Sequence, residues 1–222
     1  MAYALITNAA ANGLNGGTTT GVDTTGATLL ILTVGWYDGT TADVTVSDSK
    51  GNTWTPLTKK SDTGLSTRMW YCDSPTVGSA HTFTVSGSGT YSAVSVSAWS
   101  GSTTGAYGTE NSAYSAVANS LAAGSVTPAV DGSLVVTACS FAATGTFSIG
   151  SGFTITNQQN YNGATNEGHA QAYLIQGTAA AINPTWSQTG GATQIETVIA
   201  TFAPSGGGGG SAIPKIIQQM GI

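Results

Sequence analysis

Apolar and small polar side chains alternate along most of the chain, and glycine, asparagine, aspartate or proline interrupts them at short intervals. Successive side chains of a β-strand point to opposite faces of the sheet, so alternation with a period of two is typical of half-buried strands. Turn residues at roughly 8–12-residue spacing are typical of a sandwich or a barrel. The pattern therefore predicts an all-β fold, an antiparallel β-sandwich, that occupies residues 1–204.

Two segments of the first half show what kinds of strand we expect. Residues 28–36 are almost continuously apolar, which predicts a central strand covered on both faces. Residues 44–55 contain two short alternating runs around a turn, in which Gly51 can adopt a positive φ and Asp48 can accept hydrogen bonds from its own backbone. We therefore predict a β-hairpin at this second position.

The second half of the chain repeats the hydrophobic pattern of the first at offsets of 103 to 105 residues. Aromatic residues fall on aromatic residues and aliphatic on aliphatic: Leu29 on Leu134, Trp36 on Phe141, Trp70 on Tyr173, Phe83 on Trp186 and Trp99 on Phe202. Such agreement over several segments favours a duplicated sheet motif, with halves of approximately 1–105 and 106–204. The halves could form one sandwich with a pseudo-two-fold axis or two tandem sandwiches. The junction carries no proline-rich or charged linker, which favours the single unit.

The unusually low charge excludes several classes of function. Only 7% of the residues are charged, against about 25% in ordinary soluble domains, and the net charge is -5. Five Lys and Arg cannot neutralise many phosphates, so we expect no nucleic-acid partner. No apolar stretch reaches the roughly 18 residues of a membrane span, and the start has no cationic, apolar signal-peptide pattern. We therefore expect that the protein does not associate with a membrane and that it is made in the cytoplasm.

Few side chains suggest chemistry. Cys72 and Cys139 lie in strand-like runs and are expected to be buried thiols, although a disulfide would be feasible if their strands adjoin. His81 and His169 occur outside nucleophile-elbow and metal-binding motifs, and His81 is expected at an exposed or rim position. Most carboxylates stand beside turn residues. These observations favour a protein that is not an enzyme and that has no cofactor or metal.

The aromatic residues fall into two groups. Trp36, Trp99 and Trp186 close apolar strands and are expected in the core. Trp54, Trp70 and Tyr161 are the candidates for ligand stacking, because an exposed row of planar rings can bind sugars.

The end of the chain has a different composition. Residues 205–210 form a glycine linker, and residues 211–222 are apolar with a single charge. In a helical turn, four of these side chains would share one stripe at i, i+3, i+4 and i+7 spacing. A helix this short is marginal by itself, so the tail is expected to dock on a partner. The candidate docking residues are Ile213, Pro214, Ile216, Ile217, Met220 and Ile222.

Three segments carry a resemblance to known proteins. Residues 46–54, 75–84 and 200–202 resemble a loose group of Ser/Thr/Gly-rich β-sandwich proteins that occur among tailed-phage virion proteins and bacterial surface proteins. The resemblance covers roughly residues 20–204 and does not include the apolar tail. It implies a jelly-roll-like or Ig-like sandwich displayed on a particle, and it brings no catalytic residues.

These expectations combine into one functional hypothesis and one alternative. The chain is expected to be a bacteriophage virion structural protein, a capsid decoration or other exterior head or tail protein, whose C-terminal tail anchors it to other virion subunits and to copies of itself. Scarce charge supports this, because sheet edges without guarding charges suit a surface that neighbours cover. The alternative is a carbohydrate-binding or adhesin module, on a tail or at a cell surface, with a glycan as ligand.

Overall fold

The computed structural model describes residues 1–38, 43–163 and 166–206, with the side chains of residues 88–90 excepted. These residues form fifteen β-strands that pair antiparallel. The prediction of an all-β, antiparallel β-sandwich is therefore confirmed. The first half contains seven strands: β1 Ala4–Thr18, β2 Leu29–Tyr37, β3 Thr45–Asp48, β4 Thr55–Pro56, β5 Lys60–Asp62, β6 Leu65–Asp73 and β7 Phe83–Ser100.

The second half contains the other eight strands. They are β8 Ser102–Ala118, β9 Ser120–Ala122, β10 Ser133–Phe141, β11 Phe147–Ile149, β12 Thr154–Asn162, β13 Asn166–Gln176, β14 Thr185–Gln188 and β15 Thr193–Pro204. The last of these strands ends at the predicted limit of the sandwich. Only the first two residues of the predicted linker, Ser205 and Gly206, lie in the described part of the chain.

Both halves use the same strand order. The first large sheet runs β1-β7-β2-β6-β4, with β3 added to β7 and β5 to β6. The second large sheet, listed from its other edge, runs β8-β15-β10-β13-β12. A small sheet, β11-β14-β9, occupies the position in the second half that β3 and the neighbouring parts of β7 and β1 occupy in the first. This arrangement is the one that the predicted duplication of a sheet motif leads us to expect.

Three hydrophobic cores fill the molecule. The first-half core lies on one side of the first large sheet and includes Leu30, Leu32, Val34, Trp36, Trp70, Cys72, Phe83 and Val96. The central core joins the two large sheets and includes Leu29, Ile31, Met69, Trp99, Leu134, Val136, Val198 and Phe202. The second-half core includes Val135, Cys139, Phe141, Phe147, Ala170, Trp186, Ile195 and Ile199. The large sheets thus pack face to face, and each half also closes a core of its own.

The central strands explain this layering. In β2, even-numbered residues from Leu30 to Trp36 enter the first-half core, while Leu29 and Ile31 enter the central core. Alternate residues of a strand face opposite sides, so an apolar run buries both faces. The prediction of a doubly covered strand over residues 28–36 is confirmed, as are the core positions of Trp36, Trp99 and Trp186, which are all fully buried.

The predicted hairpin over residues 44–55 is wrong in its pairing. β3 pairs with β7, whereas β4 pairs with β6. The turn chemistry is nevertheless as expected, because Lys50 N donates to Asp48 Oδ1 over 2.8 Å and Gly51 has a φ of 74°. The turn therefore directs the chain from one strand partner to another instead of folding it back on itself.

Candidate functional site

A groove beside β3 holds two of the three candidate stacking residues. It has a volume of about 390 Å3, and its lining includes Trp54, Trp70, Pro56 and Asn52. The two indoles belong to neighbouring parts of the fold, because Pro56 of β4 pairs with Trp70 of β6. The groove is therefore the place where a ligand could meet Trp54 and Trp70 together.

Trp70 is nevertheless a core residue and not part of an exposed platform. Only 5% of it is exposed. Its ring lies 6.5 Å from the ring of Trp36, and the guanidinium group of Arg68 lies 5.3 Å from its centroid. Protein groups on both sides leave Trp70 little surface for stacking.

Trp54 is half-buried and held in a defined orientation. Its Nε1 donates to Asp48 Oδ2 over 2.8 Å, and its ring packs edge-on against Phe83 at 6.1 Å. A ring fixed in this way loses little conformational freedom when it binds a ligand. Of the two indoles in the groove, Trp54 is therefore the one suited to contact a ligand.

Tyr161 lies in a different part of the molecule. It belongs to β12, and its ring is 5.1 Å from that of Tyr91. Tyr91 pairs with Tyr37 of β2, on the side of the first large sheet that faces the second. Trp70 packs on the opposite side of that sheet, in the first-half core. The three candidate residues therefore do not form one row.

A buried carboxylate organises the floor of the groove. Asp48 has a fully buried side chain, and its Oδ1 lies 3.0 Å from His81 Nε2. Burial opposes ionisation of this carboxyl group, but hydrogen bonds from Lys50 and Trp54 and the adjacent His81 outweigh it and lower its pKa. Because its oxygens are occupied by donors of the protein, Asp48 serves as a structural anchor.

His81 is fully buried, which corrects the expected rim position. Its ring stacks on Phe83 at 4.3 Å, and Thr24 Oγ1 lies 2.9 Å from its Nδ1. A backbone bridge between His81 and Val22 continues the antiparallel pairing before the start of β7. The alternation around His81 was correctly interpreted as strand-like, but the sequence did not show that both faces would be covered.

A second buried polar cluster lies between the two large sheets. Thr33 of β2, Ser140 of β10, and His169 and Gln171 of β13 are all fully buried. Thr33 Oγ1 lies 3.0 Å from His169 Nε2, and it accepts a hydrogen bond of 3.1 Å from Gln171 Nε2. Ser140 Oγ lies 3.1 Å from His169 Nδ1. A hydroxyl, an imidazole and a carboxamide thus meet in a site without water access.

Gly35 makes room for this cluster. A Cβ atom at this position would overlap Ser140 Oγ and lie 2.8 Å from His169 Nδ1. Burial lowers the pKa of His169 to about 3, so its ring is neutral at ordinary pH. A neutral imidazole can accept a hydrogen bond at one ring nitrogen while it donates a hydrogen bond from the other.

The sequence contains a signal for this cluster that lies outside any catalytic or metal-binding motif. In β13, the polar residues Glu167, His169 and Gln171 alternate with glycine and alanine. This alternation normally indicates a strand with one face in water. Here the polar face packs on the first large sheet, so its side chains are buried.

Two carboxyl groups are buried with the cluster. Glu167 is 1% exposed and Glu196 is fully buried, and neither has a hydrogen-bond partner of normal geometry among the described residues. Burial raises the pKa of Glu167 well above its usual value, and the adjacent Glu196 adds to this. Burial likewise raises the pKa of Glu196 to about 8. The expectation of carboxylates at turns therefore fails for these two residues.

The cysteines lie in separate cores. Cys72 packs in the first-half core and Cys139 in the second-half core, and both thiols are free. The expectation of buried thiols is confirmed, and the disulfide alternative is not realised. Burial raises the pKa of Cys72 to about 11, which makes this thiol unreactive in the folded protein.

The remaining site expectations concern the tail. The structure does not describe the six candidate docking residues, Ile213, Pro214, Ile216, Ile217, Met220 and Ile222, so this expectation lies outside the described residues.

Within the described ranges, no group of three or more His, Cys, Asp and Glu side chains could hold a metal ion. No helix in these ranges is long and apolar enough to cross a membrane. No family model, curated protein or solved structure matches the chain.

Proposed function

We propose that this protein is a non-enzymatic structural subunit of a bacteriophage particle, a capsid decoration or other exterior head or tail protein. In this proposal its sandwich packs against copies of itself and against other virion subunits, and its apolar tail anchors it to a neighbour. The particle is assembled in the host cytoplasm, where the chain is made. The observation that carries the proposal is that two long edge strands, β1 and β8, contain almost no charged residues.

Strands β1 and β8 form the outer edges of the two large sheets. They contain 15 and 17 residues, and each pairs with a neighbouring strand on one side only. Together they contain one charged residue, Glu110, and no lysine, arginine or proline. Exposed edge strands normally carry such residues because an unpaired edge invites pairing with another chain. Edges that lack this protection suit a subunit whose neighbours cover them.

The outer strands also expose apolar side chains. Val117 of β8 is 73% exposed and Leu14 of β1 is 53% exposed. Single exposed apolar residues are common, but here they lie on edge strands that carry no lysine, arginine or proline. Their burial against neighbouring subunits would contribute about 25 cal/mol for each Å2 removed from water.

The first residue of the linker is fixed to the sandwich. The Met1 amino group donates hydrogen bonds to the carbonyl oxygen and the hydroxyl group of Ser205, with 3.1 Å to the hydroxyl. Ser205 N also donates to Gly101 O over 2.6 Å. The linker therefore leaves from a defined point beside the N-terminus. A tether that starts at a fixed point holds its apolar segment at a high effective concentration near adjacent subunits.

The anchor is tested with matched substitutions in the full-length chain. Labelled protein is mixed with phage particles assembled without it, and the bound fraction is measured by sedimentation. We expect Ile216→Ser together with Ile217→Ser to reduce binding at least about tenfold, because loss of two buried isoleucines costs more than about 1.4 kcal/mol. The control, Gln218→Ser with Gln219→Ser, should bind like the original chain. Equal binding by both variants would refute the anchor, and no binding by the original chain would refute the proposed function.

The groove beside β3 supports a carbohydrate-binding or adhesin module as a second candidate. Trp54 presents a fixed, half-buried indole there, next to polar residues such as Asn52 and Ser47. Sugars bind to planar apolar surfaces with a few polar groups beside them. Binding to a glycan array should disappear in Trp54→Ala and persist in Tyr161→Phe, which alters a distant aromatic residue. An array without any bound glycan would exclude this candidate.

A further inference from the structure

We propose that Thr33 and Gln171 form an intramolecular ester bond that links the two large sheets covalently. The Thr33 hydroxyl group and the Gln171 carboxamide group are in contact, with 3.1 Å between Oγ1 and Nε2. The two residues are 138 positions apart in the chain and belong to different halves of the sandwich. The bond would thus fasten one half of the duplicated fold to the other. This inference does not depend on the proposed function.

The cluster provides the groups that acyl transfer needs. A nucleophile requires a base within hydrogen-bond distance, and the base requires a group that orients it. His169 Nε2 lies 3.0 Å from Thr33 Oγ1 and is the base. We assign the single N–H proton of the neutral ring to Nδ1, which then donates to Ser140 Oγ at 3.1 Å. In this tautomer the Thr33 hydroxyl group donates a hydrogen bond to His169 Nε2 and accepts a hydrogen bond from Gln171 Nε2.

The carboxamide group is held at both ends. Thr156 Oγ1 lies 3.2 Å from Gln171 Oε1 and 3.1 Å from the backbone oxygen of Gln171, so its one proton is shared between these two acceptors. Gln171 Nε2 donates to the carbonyl oxygen of Ser95 over 3.4 Å. A hydroxyl donor at the carbonyl oxygen stabilises the negative charge that develops there when a nucleophile adds to the carbon. Thr156 therefore occupies the position of an oxyanion donor, and the contact with Ser95 keeps the leaving nitrogen beside Thr33.

The reaction balances without any co-reactant. Thr33 Oγ1 attacks Gln171 Cδ while His169 Nε2 takes the hydroxyl proton. The tetrahedral intermediate collapses, His169 returns the proton to the leaving nitrogen, and ammonia departs. One bond forms, between Oγ1 and Cδ, and one bond breaks, between Cδ and Nε2. Nothing is oxidised or reduced.

Burial favours this outcome over hydrolysis. Thr33, His169 and Gln171 are fully buried, so water does not reach the ester carbon. Burial also keeps His169 neutral, so the lone pair of Nε2 is available to the Thr33 hydroxyl group. Because burial opposes a lasting charge on the ring, His169 passes the proton on to the leaving nitrogen and does not retain it. The reaction occurs once in each molecule, so a slow step is sufficient, and fixed reactants of this kind reach effective molarities of about 10⁵ M or more.

The decisive experiment is the mass of the intact, denatured full-length protein. We expect the original chain to be lighter than its sequence mass by one ammonia molecule. Thr33→Val should have its full sequence mass, because it keeps the shape of the side chain but lacks the hydroxyl group. Thr33→Ser should still lose ammonia, which separates the chemistry from the effect of any substitution at this position. A full sequence mass for the original chain would overturn the proposal.

A matched control comes from the second half of the fold. Thr137 of β10 is also fully buried, but its hydroxyl donates to Val198 O over 2.8 Å and accepts from Trp186 Nε1 over 3.1 Å. Neither of these two partners is a carboxamide, so Thr137→Val should still lose ammonia. Asparagine followed by glycine can lose ammonia as well, by cyclisation, and this occurs at Asn12, Asn15 and Asn162. An ammonia loss that persists in Thr33→Val would therefore assign it to another site and refute the ester.

The bond can also be located directly. Cleavage after lysine and arginine places Thr33 in the fragment of residues 1–50 and Gln171 in the fragment of residues 69–215. The ester predicts one linked species that contains both fragments, and mild aqueous base should separate the two fragments because it hydrolyses esters and leaves peptide bonds intact. His169→Ala should slow the loss of ammonia even where circular dichroism shows that it folds like the original chain. Rapid ammonia loss in folded His169→Ala would remove His169 from the proposed role.

Discussion

Glu196 and His169 are both buried and uncharged at neutral pH, for opposite reasons. Burial raises the pKa of Glu196 to about 8, although the backbone of Asp62 and the charge of Lys60 oppose this effect. Burial lowers the pKa of His169 to about 3. The folded state therefore holds the Glu196 proton more tightly than the unfolded chain does, so stability decreases as pH rises from the unfolded value towards 8. His169 has the reverse effect, because its contribution decreases as pH falls below about 6.5.

Above about pH 6.5, the ordinary pKa of histidine, His169 no longer contributes to the pH dependence of stability and the buried glutamates do. The first prediction uses this pH range. Between about pH 6.5 and pH 8, Glu196 and Glu167 should lower the free energy of unfolding by up to about 1.4 kcal/mol per pH unit for each group. Glu196→Gln should reduce this slope and be more stable than the original chain at pH 8. Urea unfolding at pH 6.5, 7.2 and 8 measures it. Asp23→Asn is the control, because hydrogen bonds from Thr25 hold the pKa of that carboxyl below its usual range.

At the scale of elements, the connection between β3 and β4 shows how one side chain can determine a chain path. Asp48 takes hydrogen bonds from Lys50 N and Trp54 Nε1, both 2.8 Å long, and lies beside His81. Turn propensity correctly predicted that the chain bends at this point. It could not predict the strand partners, because β3 and β4 pair with β7 and β6, which are distant in the sequence.

The second prediction concerns this turn. Asp48→Ala removes the acceptor of several part-buried donors and the carboxylate beside the buried His81, so it should destabilise the protein by about 3 kcal/mol. Asp23→Ala, which removes an exposed turn carboxylate bonded to Thr25 N at 2.9 Å, should cost less than about 1 kcal/mol. Urea midpoints of the two variants give the comparison. Similar losses for both would show that burial of Asp48 adds nothing.

At the scale of the whole molecule, the central core connects the two halves. Trp99 of the first half packs edge-on against Tyr173 of the second at 4.7 Å, and Tyr71 does the same against Phe202 at 5.7 Å. Because each half also shares this core with the other, loss of one half exposes apolar surface of the remaining half. The halves should therefore unfold as one cooperative unit.

The free cysteines provide the third prediction, because each reports on one half. Cys72 lies in the first-half core and Cys139 in the second-half core. Both thiols should become reactive towards a thiol reagent at the same urea concentration. Identification of the labelled peptides by mass spectrometry separates the two sites. Reaction of one cysteine well before the other would show that the halves unfold independently.

The hydrophobic pattern by itself determined the fold class, the doubly covered strand over residues 28–36 and the core tryptophans, because period-two alternation and apolar runs are local properties of a strand. Tertiary structure alone decided which polar faces are buried. Glu167, His169 and Gln171 have the pattern of a solvent-facing strand, yet they lie between two sheets because the first half of the chain covers them. The encounter of Thr33 with Gln171 was decided in the same way, since packing of distant strands, and no local signal, brings the two side chains together.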